Sequence, residues 1–467
     1  MTFKTFNIAM IGPTDQVYSK QQDNQLTQNY YAYMSEDEPS LQGTPGSRLF
    51  VDYDTFGIDR GFHVFNEVLY QVSGIQLDRI NSDQTRTNIG SIPGTGRCIF
   101  ADDGIDMFIV TGGDVYRYNT SLTLLTDPDF ESPTGVAYIN RSFLYDGSGY
   151  RWVASEIGDG SDVQQRNYDE AASNPDDLVI PYTFEDRVYF FCLRSIEPWW
   201  NSDEGDPPFS PIDTAVIQKG TSAPYSVANS DRFIYFLGDD LNVYQLRSNQ
   251  IRNIANPGIN KEIAGFSETG DAIGFCFNLE GQDFYYITFP TGDKSYLYSE
   301  TTNVWTSMTY SAANERHLAS SYAYVYGKHL IADRRNGRVL EWDLDLNEDN
   351  GDVIQRRRIL PRIDGAMLGE PGKRVQMSRF ELLMQKGVGL ATGQGEDPII
   401  MVELSFDGGE SWQTIQNLRF GRAGQFMQKV EAYAMDTFYE MTVRTTQTDP
   451  VLSNIRSAAI DLQLAGY

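Results

Sequence analysis

The stretch Asp59–Ile80, DRGFHVFNEVLYQVSGIQLDRI, decides the fold. Apolar residues alternate at Phe62 and Val64, then at Val68, Tyr70 and Val72, then at Ile75 and Leu77. Asn66-Glu67 and Ser73-Gly74 break the runs. Alternation with period two, cut by turn residues, predicts a short antiparallel meander of three strands. One meander has a single apolar face and nothing to bury it against. The rest of the chain must supply partners.

Six further copies follow, at residues 96–118, 135–153, 178–193, 225–246, 272–298 and 319–343. Their spacing, roughly 36 to 48 residues, is that of propeller blades, where neighbours bury each other's faces and closure hides the edges. The expectation is an all-β fold. A β-propeller of about seven blades, with six as the alternative count, carries a C-terminal β-sandwich-like domain and an extended N-terminal arm. The boundaries are 1–50 for the arm, which lies on another domain or subunit, 51–345 for the propeller, 346–375 for a linker with a basic run, and 376–467 for the C-terminal unit.

Composition agrees. The chain has 467 residues, 13% of them aromatic, and 41 glycines, which favours strands and turns. Its net charge is −27, from 37 basic and 64 acidic residues. Gripping nucleic acid needs a basic surface, so that task is excluded as the main one. Such a charge suits a self-repelling soluble surface, or one that DNA passes without sticking. Cys98, Cys192 and Cys276 lie far apart with no CxxC pair and read as reduced core residues in a reducing compartment. No apolar run after Met1–Asn7 suggests a signal peptide, and no stretch approaches a membrane span.

Motifs for chemistry are few. Ser405, Asp407, Gly409 and Trp412 fit the Asp-box pattern S-x-D-x-G-x-[TS]-W, a structural hairpin in which Asp accepts turn amides and Trp folds back. Trp199 and Trp200 lie within an acidic, proline-bracketed segment, 198–208, read as a loop. They are candidate partner-docking anchors, with closure of a local core as the plainer reading. Arg356, Arg357 and Arg358 form the main basic run, suited to docking a partner or pairing with the chain's own acids. Asp345–Asp352 begins like an EF-hand loop, but Asn350 and Arg356 stand where glycine and glutamate are needed. His63, His317 and His329 have no metal-ligand spacing, and no phosphate loop or nucleophile elbow occurs. No catalytic residue, metal or cofactor is expected.

Two stretches carry a family likeness. One runs through Gly12-Pro13-Thr14, Tyr18, Ser19, Gln28–Tyr31 and Leu41–Phe50; the other is Gly387–Met401, leading into the Asp box. They resemble the packaged-DNA stabilisation proteins of short-tailed bacteriophages, the tail hub or nozzle proteins. The resemblance implies a non-enzymatic virion tail component, made in the host cytoplasm. It would be a homo-oligomer, a hexamer, below the portal and its adaptor. Double-stranded DNA would be retained and later ejected through its channel without tight binding, and tail fibres or spikes would dock outside. The rivals are a carbohydrate-active propeller, sialidase- or glycosidase-like, and a sugar-binding adhesin.

Overall fold

The computed structural model describes residues 2–16, 24–34, 39–52, 57–171, 173–174, 176–311, 313–433 and 436–465, without the side chains of 165, 166 and 213. Tyr18 and Ser19 of the family likeness lie outside the described residues.

The opening meander is a blade. Asp59–Phe65, Val68–Ser73 and Gln76–Ile80 pair antiparallel in sequence order, and Arg86–Ser91 adds a fourth strand. The first turn is Asn66-Glu67, both at positive φ (49° and 63°), as a two-residue hairpin with the twist of its strands requires. Four more four-stranded sheets follow from consecutive strands, at 99–125, 136–170, 178–211 and 228–253, and four further consecutive strands at 273–310 form the blade end of a larger sheet. The seventh, 319–343, takes its outer strand from Gly46–Val51, which pairs antiparallel with Val339–Asp343. The propeller is therefore six continuous blades and one composite blade.

Among the described residues eight apolar clusters make the core, and seven of them lie between successive blades. The seam of blades 3 and 4 illustrates the packing. Trp152 is fully buried, stacks on Phe190 at 4.8 Å and meets the edge of Trp199 at 5.3 Å. Burying each such side chain contributes about 3 kcal/mol. The cluster of Phe50, Val51, Leu69, Ile80 and Leu330 joins blade 7 to blade 1 and closes the ring.

The eighth cluster lies in a two-sheet unit built from both ends of the chain. Lys4–Ala9, Tyr30–Tyr33 and Ser40–Gly43 share a sheet with Val375–Met384 and Asn454–Leu464. In the facing sheet, Asn24–Gln28 pairs with Arg356–Ile359, which pairs with Glu440–Gln447. Ile8, Met10, Tyr30 and Leu41 pack with Phe380, Val443 and Ile460. The N-terminal segment is thus woven into the C-terminal unit rather than extended over it. Residues 346–375, read as a linker, carry short strands belonging to both parts. Asn24–Gln28 also meets Val304–Tyr310 of blade 6, with Gln28 opposite Ser307, so one sheet runs from the propeller into the sandwich.

Candidate functional surfaces

The basic run is not a docking surface. Arg356 and Arg358 are buried and Arg357 is half-buried, all on the strand Arg356–Ile359. Arg358 donates to Met10 O (2.7 Å), Ile359 O (2.8 Å) and Gln25 Oε1 (2.8 Å). Arg356 donates to Thr44 O and Asn347 Oδ1, both at 3.2 Å. Backbone carbonyls of Met10, Thr44 and Ile359 and the side-chain amides of Gln25 and Asn347 accept from these two guanidinium groups. Two glycines of the family-like stretch leave room for them. A Cβ at Gly12 would fall 2.2 Å from Arg358 Nη2, and one at Gly43 would fall 2.4 Å from Arg356 Nε. The arginines clasp the two chain ends together.

Trp199 and Trp200 are on a strand, Ile196–Asn201, not a loop. Side chains alternate across a strand, so Trp199 enters the core beside Trp152 while Trp200 stays 47% exposed. Of the pair, Trp200 alone is accessible to a partner.

The Asp box forms the expected hairpin. Asp407 accepts from the amides of Glu410 and Ser411, both at 3.0 Å, and from the Ser411 hydroxyl, which hold its carboxyl below the ordinary carboxylate range. Ser405 Oγ accepts from Gly409 N at 2.8 Å and Trp412 Nε1 donates to Gly409 O at 3.1 Å. Arg444 lies over the Trp412 ring and grips Glu403 with two hydrogen bonds of 2.6 and 2.7 Å. Asn24 Nδ2 donates to Gly408 O at 2.8 Å, so the box also anchors the N-terminal segment.

The loop with the broken EF-hand pattern sits where propeller and sandwich meet. Asp349 is fully buried and accepts from Ser47 Oγ at 3.1 Å. Burial pushes its carboxyl up to about 7, with Arg356 pulling the other way. Asp352 beside it accepts from the Tyr310 hydroxyl, to which Arg335 also donates. No group of metal-ligating side chains converges among the described residues.

Between the inner strands lies a cavity of about 330 Å³ lined by Arg97, Phe100, Tyr138, Tyr182, Tyr225 and others, with no carboxylate among the described lining residues. Arg97 donates to Ser321 Oγ at 2.9 Å and lies 3.7 Å from Asp59, which accepts from both Ser320 and Ser321. All three cysteines are free thiols, and burial pushes Cys192 up to about 12. Burial lowers His317 to about 3, leaving a neutral ring whose Nδ1 accepts from Ala319 N. His63 pairs with Asp102 at 2.6 Å and His329 with the Tyr322 hydroxyl at 2.9 Å.

Two surface features escaped the sequence reading. Phe426 and Met427 project from a loop of the sandwich, and a cavity of about 570 Å³ opens at the loops of blades 3 and 4. An apolar residue in a loop does not announce whether it faces in or out. The missing acids of 411–430 in so acidic a chain were the only signal.

No curated protein matches the chain. Among solved structures it is similar to the computationally designed Ika8 protein (TM-score 0.42, 6% identity, 63% of this chain and 99% of that one). It is also similar to the WD40 β-propeller domain of Doa1 (TM-score 0.41, 11% identity, 64% and 97%) and the Pan2 WD40 domain of Neurospora crassa (TM-score 0.40, 8% identity, 62% and 89%). The family model described as bacteriophage P22 Gp10, beta-propeller, matches residues 28–346, from the Asn24–Gln28 strand to the end of blade 7. The chain belongs to this family of bacteriophage packaged-DNA stabilisation proteins.

Proposed function

We propose that the chain is a structural component of the virion tail, a nozzle or hub. Several copies, six by the family likeness, form a ring below the portal and its adaptor. The ring retains packaged double-stranded DNA, later gives it passage, and presents an outer surface to fibres or spikes. The observation that carries this reading is the family match across the whole propeller.

The physics supports it. A chain with 64 acidic and 37 basic residues lines a channel best with acids and uncharged polar groups, because these repel phosphates and let DNA slide. The central cavity of the propeller, tyrosine-walled with one guanidinium, supports a non-enzymatic role. A glycosidase of the two-carboxylate kind would need a convergent acidic pair there, and a sialidase-like site would need a cluster of arginines where the described lining has Arg97 alone.

The test is assembly of particles with and without this chain. Particles lacking it should package DNA and then lose it, and adding the purified protein should restore retention. Purified rings should bind DNA only weakly at low salt. Retention unaffected by the chain's absence, or a channel lined with Lys and Arg, refutes the reading.

A further inference from the structure

Two exposed features lie on different sides of the molecule and complement each other. The first is the loop between Gly421 and Val430, whose ends are buried and whose eight intervening residues are all exposed. Phe426 rests against the Gly387 backbone yet is 69% exposed, and Met427 is 94% exposed. Arg422 and Lys429 flank the tip with more than half of each side chain in solvent. Arg422 lies 3.1 Å from Glu396 and Lys429 lies 3.9 Å from Glu431. No acidic residue occurs from Ser411 to Val430.

The second is the cavity of about 570 Å³ at blades 3 and 4. Ile157, itself 60% exposed, forms its apolar wall with Pro207 and Pro208, while Glu156, Asp203 and Asp206 give it an acidic rim relieved by Arg141. Its size suits one or two large side chains.

Topology places the two apart. The sandwich joins the propeller at blades 6 and 7, through Asn24–Gln28 and Gly46–Val51. Blades 3 and 4 stand across the ring from that junction. Different, complementary patches on separate sides of one chain make a head-to-tail contact, and such contacts generate rings when the rotation closes. An exposed Phe-Met tip is the residue chemistry that anchors interface centres, and flanking cations opposite an acidic rim set the register.

We propose that the Phe426–Met427 loop of one copy seats in the Ile157–Pro207–Pro208 cavity of the next copy. The occupant is a second copy of this chain, because tip and cavity match in size, polarity and sign of charge. This rests on the ring-forming reading above.

The test uses the full chain with Met427→Cys, Ile157→Cys, or both, under mild oxidation. The double variant should give a ladder of disulfide-linked oligomers. An equal mixture of the two single variants should stop at linked pairs, and each single variant alone should give neither product. R422E with K429E should weaken self-association about tenfold or more, and D203K with D206K on the same chain should restore it. Rings that form without the ladder overturn this contact while leaving the ring-forming reading intact. Absence of self-association at any concentration overturns both. Variants that assemble normally but lose the adaptor assign the loop to that partner and overturn the proposal.

Discussion

Asp349→Asn tests how the propeller–sandwich junction handles its buried charge. In the fold the Asp349 carboxyl is pushed up to about 7 from 3.8, chiefly by burial. A raised acid binds its proton more tightly folded than unfolded. Its stabilising contribution is therefore complete below the unfolded value and lost as pH rises through about 7. The whole span, about three units at 1.4 kcal/mol each, corresponds to about 4 kcal/mol. Between about pH 5.5 and 8.5 the loss is about 2 kcal/mol, half the span. Asparagine cannot ionise, so Asp349→Asn should escape this loss. Arg356, Asp352 and Arg335 face the group and are unchanged by the substitution. Denaturant unfolding of both proteins across this range should show the variant's relative stability growing by about 2 kcal/mol toward high pH. A variant that instead loses ground as pH rises would mean that Asp349 is ionised and paired with Arg356, because removing one partner of a buried ion pair leaves the other uncompensated. That result would refute the reasoning.

Other expectations follow from the clasp, the blade seams and the Asp box. Gly43→Ala should cost about 1–3 kcal/mol, measured by denaturant unfolding, because its Cβ would fall within 2.4 Å of the buried Arg356 Nε. Trp152→Ala should cost about 3–5 kcal/mol by opening the seam of blades 3 and 4, whereas Trp200→Ala should change unfolding little. Asp407→Ala should speed hydrogen exchange at the Glu410 and Ser411 amides without changing it in the blades. In the native chain the depressed Asp407 carboxyl should keep that protection until pH falls well below the usual carboxylate range.

The inner strands of most blades were legible because apolar residues recur along them at period two or in short runs, whereas the third strand of blade 4, Ile196–Asn201, was read as a loop. Val68, Tyr70 and Val72 declare a core-facing pattern that needs no knowledge of partners. The outer strands were not. Arg86–Ser91 and Gln250–Asn253 face solvent and bury too little to impose a pattern. The N-terminal segment was misjudged for another reason. Lys4–Ala9 finds its partner at Ser457–Leu462, and no local signal reports a pairing that distant. The arginine run failed because charge implies exposure only when the fold offers no internal acceptors, and here carbonyls from Met10 and Thr44 supply them. The Asp box succeeded because its hydrogen bonds close within eight residues.

The strand Gly46–Val51 sets the order of events during synthesis. It is made early, yet its partner Val339–Asp343 emerges nearly 300 residues later, and the Lys4–Ala9 strand waits for the last turn of the chain. Blades 1 to 6 can form as the ribosome delivers them, but the ring cannot shut, nor the sandwich acquire its edges, until almost the whole polypeptide is out. Such pairings are slow and leave open edges exposed meanwhile. A chain cut short before Asn454–Leu464 lacks a partner that closes the sandwich, so the fold itself withholds an assembly-competent subunit until that strand has been made.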